Sequence, residues 1–200
     1  MCDNNENNEI LVSDSINTNQ SSGYPVVHIV YEIAGTIFSA IIVLLLVMSF
    51  VFRQVTVEGR SMNDTLTDGD RLLVSVLGYT PKTGDIVVIT HGKYTDHDES
   101  LIKRVIAVEG QRLRINYETG DVSIDGVLLN EPYITGKTNR VVNSAQIPDV
   151  IPKGYVFVMG DNRQNSLDSR SASIDLIPVE NIVGKALFRV YPLNSFGSIE

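Results

Sequence analysis

The chain has 200 residues, 43% of them hydrophobic, and 16 Lys and Arg against 24 Asp and Glu give it a formal net charge of -8. This acidic balance, with no Lys/Arg cluster, argues against a nucleic-acid surface, which needs a basic face. Cys2 is the single cysteine, which excludes an intramolecular disulfide and a cysteine-based zinc site, so the fold must rest on packing.

Residues 1–30 form a polar N-terminal segment. Within it, Met1 to Gly23 is rich in Asn, Ser, Asp and Glu, shows no sustained apolar period and reads as a disordered tail, because it buries too little surface to offset the entropy of ordering. Cys2 sits beside the first methionine with no apolar region before it and reads as incidental. Residues 31–53 read as one transmembrane helix: Ile33 to Phe52 contains no ionisable residue, and crossing the hydrocarbon takes about 20 helical residues. Glu32 and Arg53 bracket it, while Tyr24, His28 and Tyr31 fall where interfacial residues belong. The long acidic stretch before it and the length of the run set it apart from a cleavable secretory signal. Arg53 and Arg60 follow the helix and no basic residue precedes it, so the positive-inside rule places the C-terminal part in the cytoplasm; long C-terminal domains, however, translocate largely regardless of charge.

Residues 54–200 change texture to short β-branched runs separated by Gly, Asp, Asn and Pro, the pattern of a mainly β domain. Strands are expected at Val55–Val57, Arg71–Val76, Asp85–Ile89, Leu101–Val108, Gln111–Tyr117, Val122–Ile124, Val127–Leu129, Tyr155–Met159 and Gly184–Val190. Leu101–Val108 and Gln111–Tyr117 read as a pair joined through Glu109-Gly110, and Asp125-Gly126 as a hairpin turn. Residues 110–150, ending in an irregular loop over Asn139–Asp149, read as an insertion. Short helical turns are expected in Asn165–Ser173 and Val179–Asn181. His91, Asp96, His97, Asp98 and Glu99 read as a solvated loop and not as metal ligands.

Chemistry concentrates in three places. Ser61 follows the apolar run closely, and a serine needs a base to take its proton as it attacks. Lys103 is the candidate: its ordinary pKa of about 10.4 would leave it protonated, but burial among Leu101, Ile102, Val105 and Ile106 disfavours the ammonium. The polar run Gly160 to Arg170 follows a strongly apolar strand and sets two arginines among two aspartates, a composition suited to planar ion pairs that hold a loop rigid.

Gly59-Arg60-Ser61-Met62-Asn63-Asp64-Thr65-Leu66, Ile102-Lys103-Arg104-Val105 and Gly160 to Arg170 resemble the serine, lysine and C-terminal boxes of bacterial type I signal peptidases, and Gly69–Val74, Gly84–Val87 and Val183–Ala186 extend the resemblance. It implies coiled antiparallel sheets behind a single N-terminal membrane helix, no cofactor and no metal. It implies Ser61 as nucleophile and Lys103 as general base, with Ser166 orienting the amine and the Ser61 N–H supplying part of the oxyanion hole. Gly59 stands where some members place a second, hydroxyl donor; Arg104 with Asp161 and Asp168 with Arg170 match supporting ion pairs. Met62 matches a buried residue behind the nucleophile, and Val57 and Ile102 line shallow pockets for small side chains before the scissile bond. The implied substrates are secretory preproteins, cut at the bilayer surface on the outer face of the cell membrane, with the N-terminus cytoplasmic. Three features depart from the family pattern: Asp64 replaces the usual proline, the link Ser171–Ile177 before Pro178 is longer than usual, and the N-terminal tail is acidic where a cytoplasmic flank is expected to be basic. A self-cleaving repressor-type protease would need a DNA-binding head where this chain has an apolar helix, and a non-catalytic partner in surface-protein or pilus assembly would not need Ser61, Lys103 and Ser166.

Overall fold

The computed structural model describes residues 24–90, 100–140 and 145–199. The expected disordered tail and the His91–Glu99 loop lie outside the described residues.

The chain divides at Leu44/Leu45 into two compact units. The first holds most of helix α1 (Tyr24–Val51), whose last residues belong to the second; its Val26–Val51 stretch, at mean hydropathy 2.6, is long and apolar enough to cross a membrane. The helix is longer than expected at its N-terminus, because Pro25 fits a first helical turn and the following Val, Ile and Tyr residues continue it. It also ends earlier: Phe52 and Arg53, assigned to the span from sequence, open strand β1 (Phe52–Thr56), where Phe52 pairs with Ser75.

The second unit is mainly β and every strand pair in it is antiparallel. Its strands are β2 (Arg71–Ser75), β3 (Ile86–Thr90), β4 (Ser100–Val108), β5 (Leu113–Asn116), β6 (Asp121–Ile124), β7 (Val127–Leu128), β8 (Tyr155–Met159), β9 (Ile177–Pro178), β10 (Ile182–Tyr191) and β11 (Gly197–Ser198). The main sheet runs β1-β2-β10-β3-β4-β8-β9, with β11 on β10; β5-β6-β7 is a separate small sheet. Alternation of side chains sends successive residues to different cores: Ile86 and Val88 of β3 pack with Leu72, Val74 and Met62, whereas Val87 and Ile89 pack with Val105, Val156 and Val158. A third cluster joins Leu113, Val122 and Ile124 of the small sheet to Ile106, Phe157 and Met159 of the large one.

Two expectations are corrected here. Strand β5 pairs with β6, not with β4, because both edges of β4 are taken by β3 and β8 and because a tight turn at Asn116–Gly120 folds β5 back. Asn116 Oδ1 accepts from the N–H groups of Glu118 and Thr119, and Gly120, at φ +83°, donates to Asn116 O; these contacts make the turn that sequence reading missed. Residues 165–173 form hydrogen-bonded turns without a helix, whereas Val179–Asn181 is a 3₁₀ turn as expected. The Asp125-Gly126 hairpin forms as read, both residues having positive φ.

Candidate active site

Ser61 lies in the irregular segment between β1 and β2, and Lys103 in the middle of β4. The fold brings them together: Lys103 Nζ donates to Ser61 Oγ at 2.7 Å and to Ile102 O at 3.1 Å. Lys103 is buried, and burial lowers its pKa to about 8, against the upward pull of Asp168 and Asp161. The Ser61 N–H makes no hydrogen bond among the described residues.

A cleft of about 270 Å³ opens over this pair, lined by Val57 to Met62 on one wall, Ser100 to Lys103 on another, and Asn165 and Leu167. A larger hollow of about 1020 Å³ lies against the small sheet, among Leu113 to Glu118 and Asp149, and contains none of these groups. Val57, Met62 and Ile102 are buried, with Met62 and Val57 in the apolar cluster behind Ser61.

The loop after β8 is fixed by ion pairs. Arg104 meets Asp161 in a bidentate contact, Nε to Oδ1 at 2.9 Å and Nη2 to Oδ2 at 2.8 Å, with Nη1 on Gly84 O at 2.8 Å. The Tyr133 ring covers this guanidinium at 3.8 Å. Thr65 Oγ1 donates to Asp161 Oδ2 at 2.6 Å, and Arg189 donates to Thr65 O and pairs with Asp70 at 3.2 Å, so the serine segment, β4, β10 and the loop form one network. Asp168 accepts from Arg170 Nε at 2.8 Å and Nη2 at 2.9 Å, and from the Gly160 N–H at 3.0 Å. Burial pulls the Asp168 carboxyl up, but these donors outweigh it and hold it below its ordinary value. Arg104, Asp161, Asp168 and Arg170 are all buried.

One expected contact is absent, and the donor position at Gly59 is otherwise engaged. The Ser166–Lys103 hydrogen bond is not formed: Lys103 points to Ser61 and Ile102, and the buried Ser166 hydroxyl, close enough to Asp168 to help keep it ionised, has no partner at hydrogen-bonding geometry among the described residues. Gly59 does not offer its own N–H toward the serine, because that group donates to Asp68 Oδ1 at 2.7 Å; its φ of +85° explains why glycine suits the position. Asp64 sits in the turn after Ser61, its carboxylate accepting from Thr135 Oγ1 at 3.3 Å. The segment Ser171–Asp175 closes as a turn with Ile174 buried, and β9 then pairs with β8.

Sequence reasoning missed several supporting groups. Gly160 packs against the nucleophile segment: a Cβ there would lie 2.3 Å from Ser166 Oγ and 2.4 Å from Ser61 O. Asn162 donates from its N–H to Ser61 O at 3.0 Å and from Nδ2 to Arg60 O at 3.1 Å. Arg163 reaches Thr138 Oγ1 at 2.5 Å and pairs with Glu131, tying the insertion to the loop. Gly160 and Asn162 stood inside the polar run, but only their contacts across the fold identify them; Glu131 and Thr138 carried no local signal.

The chain matches the family described as signal peptidase, peptidase S26, over residues 30–191. It is 35% identical over 175 residues to signal peptidase IB of Staphylococcus aureus, covering 78% of this chain and 87% of that protein. It is 38% identical over 168 residues to a probable signal peptidase I-1 of a Synechocystis species, covering 80% and 82%. A crystal structure of a signal peptidase I from Enterococcus faecalis V583 is similar at 22% identity and a TM-score of 0.42, over 54% of this chain and 97% of that one.

Proposed function

The chain belongs to the signal peptidase family, peptidase S26, and removes signal peptides from preproteins; on that premise we propose that Ser61 is its nucleophile and Lys103 its general base. The observation that carries this reading is the 2.7 Å contact between Lys103 Nζ and Ser61 Oγ, made by a lysine whose pKa burial lowers to about 8. In the neutral form Lys103 takes the Ser61 proton as Oγ attacks the carbonyl carbon before the scissile bond. The Ser61 N–H, unbonded among the described residues, is the donor available to the developing oxyanion, where one such donor contributes on the order of 10²–10³ in rate. The Lys103 ammonium then gives its proton to the leaving amine, and the mature chain departs. Water, deprotonated by Lys103, attacks the acyl-enzyme ester, and Ser61 recovers its proton as the signal peptide leaves.

Ser166 acts as a positioning residue, its otherwise unpartnered oxygen being the acceptor available to the Lys103 ammonium once the proton has moved. Arg104 with Asp161 and Arg170 with Asp168 hold the loop in register, and Val57, Met62 and Ile102 give the acyl side small apolar pockets. The helix Tyr24–Val51 anchors the chain in the cell membrane with its N-terminus cytoplasmic and the β unit outside, which raises the effective concentration of enzyme where cleavage sites emerge. Processing of a preprotein by the full chain in detergent or vesicles tests the dyad: Ser61→Ala and Lys103→Ala should each abolish cleavage, and equal cleavage by all three proteins would overturn it.

A further inference from the structure

The cleft wall that carries Ser61 also carries two charges of opposite sign with no part in the chemistry above. Glu58 and Arg60 are both exposed, both line the cleft, and neither side chain makes an ion pair or hydrogen bond among the described residues. Arg104, Arg163, Arg170 and Arg189, by contrast, are each paired with a carboxylate.

Their places follow from the two walls converging on the dyad. Val57 to Gly59 leads to Ser61, and Ser100 to Ile102 leads to Lys103. Among the described residues that part of β4 pairs with β3 alone, since β8 takes the other edge only from Arg104 onward, which leaves its backbone edge available to an added extended segment. Laid there, the acyl half of a substrate presents alternate side chains to the apolar pockets at Val57 and Ile102, and the side chain between them, second before the scissile bond, projects to the rim where Glu58 stands. Beyond Ser61 the remaining lining is Asn165 and Leu167, and Asn162 of the same loop bonds the Arg60 carbonyl, tying the Arg60 backbone to that loop.

We propose that Glu58 and Arg60 read the charge on the two sides of the scissile bond, so that preproteins with a basic residue second before it and an acidic residue just after it are cut fastest. This rests on the Ser61/Lys103 reading and adds a substrate preference to it. Exposed charge pairs contribute little, so each preference is on the order of two- to fivefold in kcat/KM at low salt.

The test uses the full chain in detergent and a preprotein series with one signal peptide, varying the second residue before the bond (Lys, Gln, Glu) and each of the first two after it (Asp, Asn, Lys). The wild type should favour Lys before and Asp after. Glu58→Lys should invert the first ratio and Arg60→Glu the second, while Arg60→Gln should bring the second to unity. All ratios should collapse in about 1 M NaCl, where the screening length falls to about 3 Å. Flat ratios in the wild type, or ratios indifferent to charge reversal, overturn the proposal. A Ser61→Ala protein that still cleaves overturns the underlying dyad instead, so the two failures are distinct.

Discussion

Replacing Gly160 by alanine should disable the site while leaving the fold in place. The added methyl carbon would stand 2.3 Å from Ser166 Oγ, 2.6 Å from Ser166 Cβ and 2.4 Å from Ser61 O. The ordinary limit of contact is near 3.4 Å, so Ser61 and the loop must separate by about 1 Å. Neither side yields easily, because Ser61 O is held by the Asn162 N–H and the Gly160 N–H is held by Asp168. A displacement of that size from the reacting geometry costs about 10²-fold in rate. Overpacking costs stability too, about 1–3 kcal/mol, which for a chain of this size lowers Tm by roughly 2–12 °C without unfolding it at 25 °C. Preprotein cleavage should therefore fall about 100-fold in kcat with near-UV circular dichroism preserved. Adding Ser166→Ala should not rescue it, since Ser61 O and the Cβ at position 166 still clash. Cleavage within twofold of wild type would refute the argument that this backbone contact sets the nucleophile.

Cleavage should rise with pH through an apparent pKa near 8, because Lys103 must be neutral to act, and a midpoint near the ordinary 10.5 would contradict its burial. The same lowered pKa means that between about pH 8 and 10.5 the unfolded chain binds the extra proton, so stability should climb across that window in wild type and climb less in Lys103→Met, as urea melts would show. Asp161→Asn leaves the buried Arg104 guanidinium without its carboxylate and should cost about 3–5 kcal/mol, a Tm drop on the order of 10 °C in calorimetry. Arg170→Gln leaves the Asp168 charge uncompensated beside Lys103 and should move the rising limb of the pH profile to higher pH. Protease added to intact cells should degrade the β unit; full protection, with a control outer-face protein digested, would favour the orientation given by Arg53 and Arg60.

Where the sequence was legible, local chemistry decided the outcome. Tyr155–Met159 and Arg71–Ser75 form strands with the expected bounds or nearly so, and Asp125-Gly126 makes its turn, because the signal and the structure are local to the same residues. Ser61 and Lys103, far apart in the chain, were matched through boxes that keep their chemistry in contiguous residues. The β5–β6 hairpin was illegible because its turn depends on an Asn116 side chain capping two backbone N–H groups, not on a short glycine dipeptide. The free state of Ser166 and the close packing at Gly160 depend on contacts across the fold, which no window of sequence contains.

The ion pairs around the loop have an electrostatic consequence beyond rigidity. A lysine base works only while neutral, and two carboxylates, Asp161 and Asp168, raise the Lys103 pKa from close by. Unopposed in a poorly solvated site, they would return Lys103 to its charged form. Each carries its own arginine in planar contact, Arg104 on Asp161 and Arg170 on Asp168, so the carboxylates keep their structural bonds beside a charge that opposes their own. Burial then remains the dominant influence on Lys103. On the proposed Ser61/Lys103 reading, the two arginines among two aspartates in and around this loop answer one requirement: to fasten Ser61 and Lys103 together with charged groups while burial keeps the proposed base neutral.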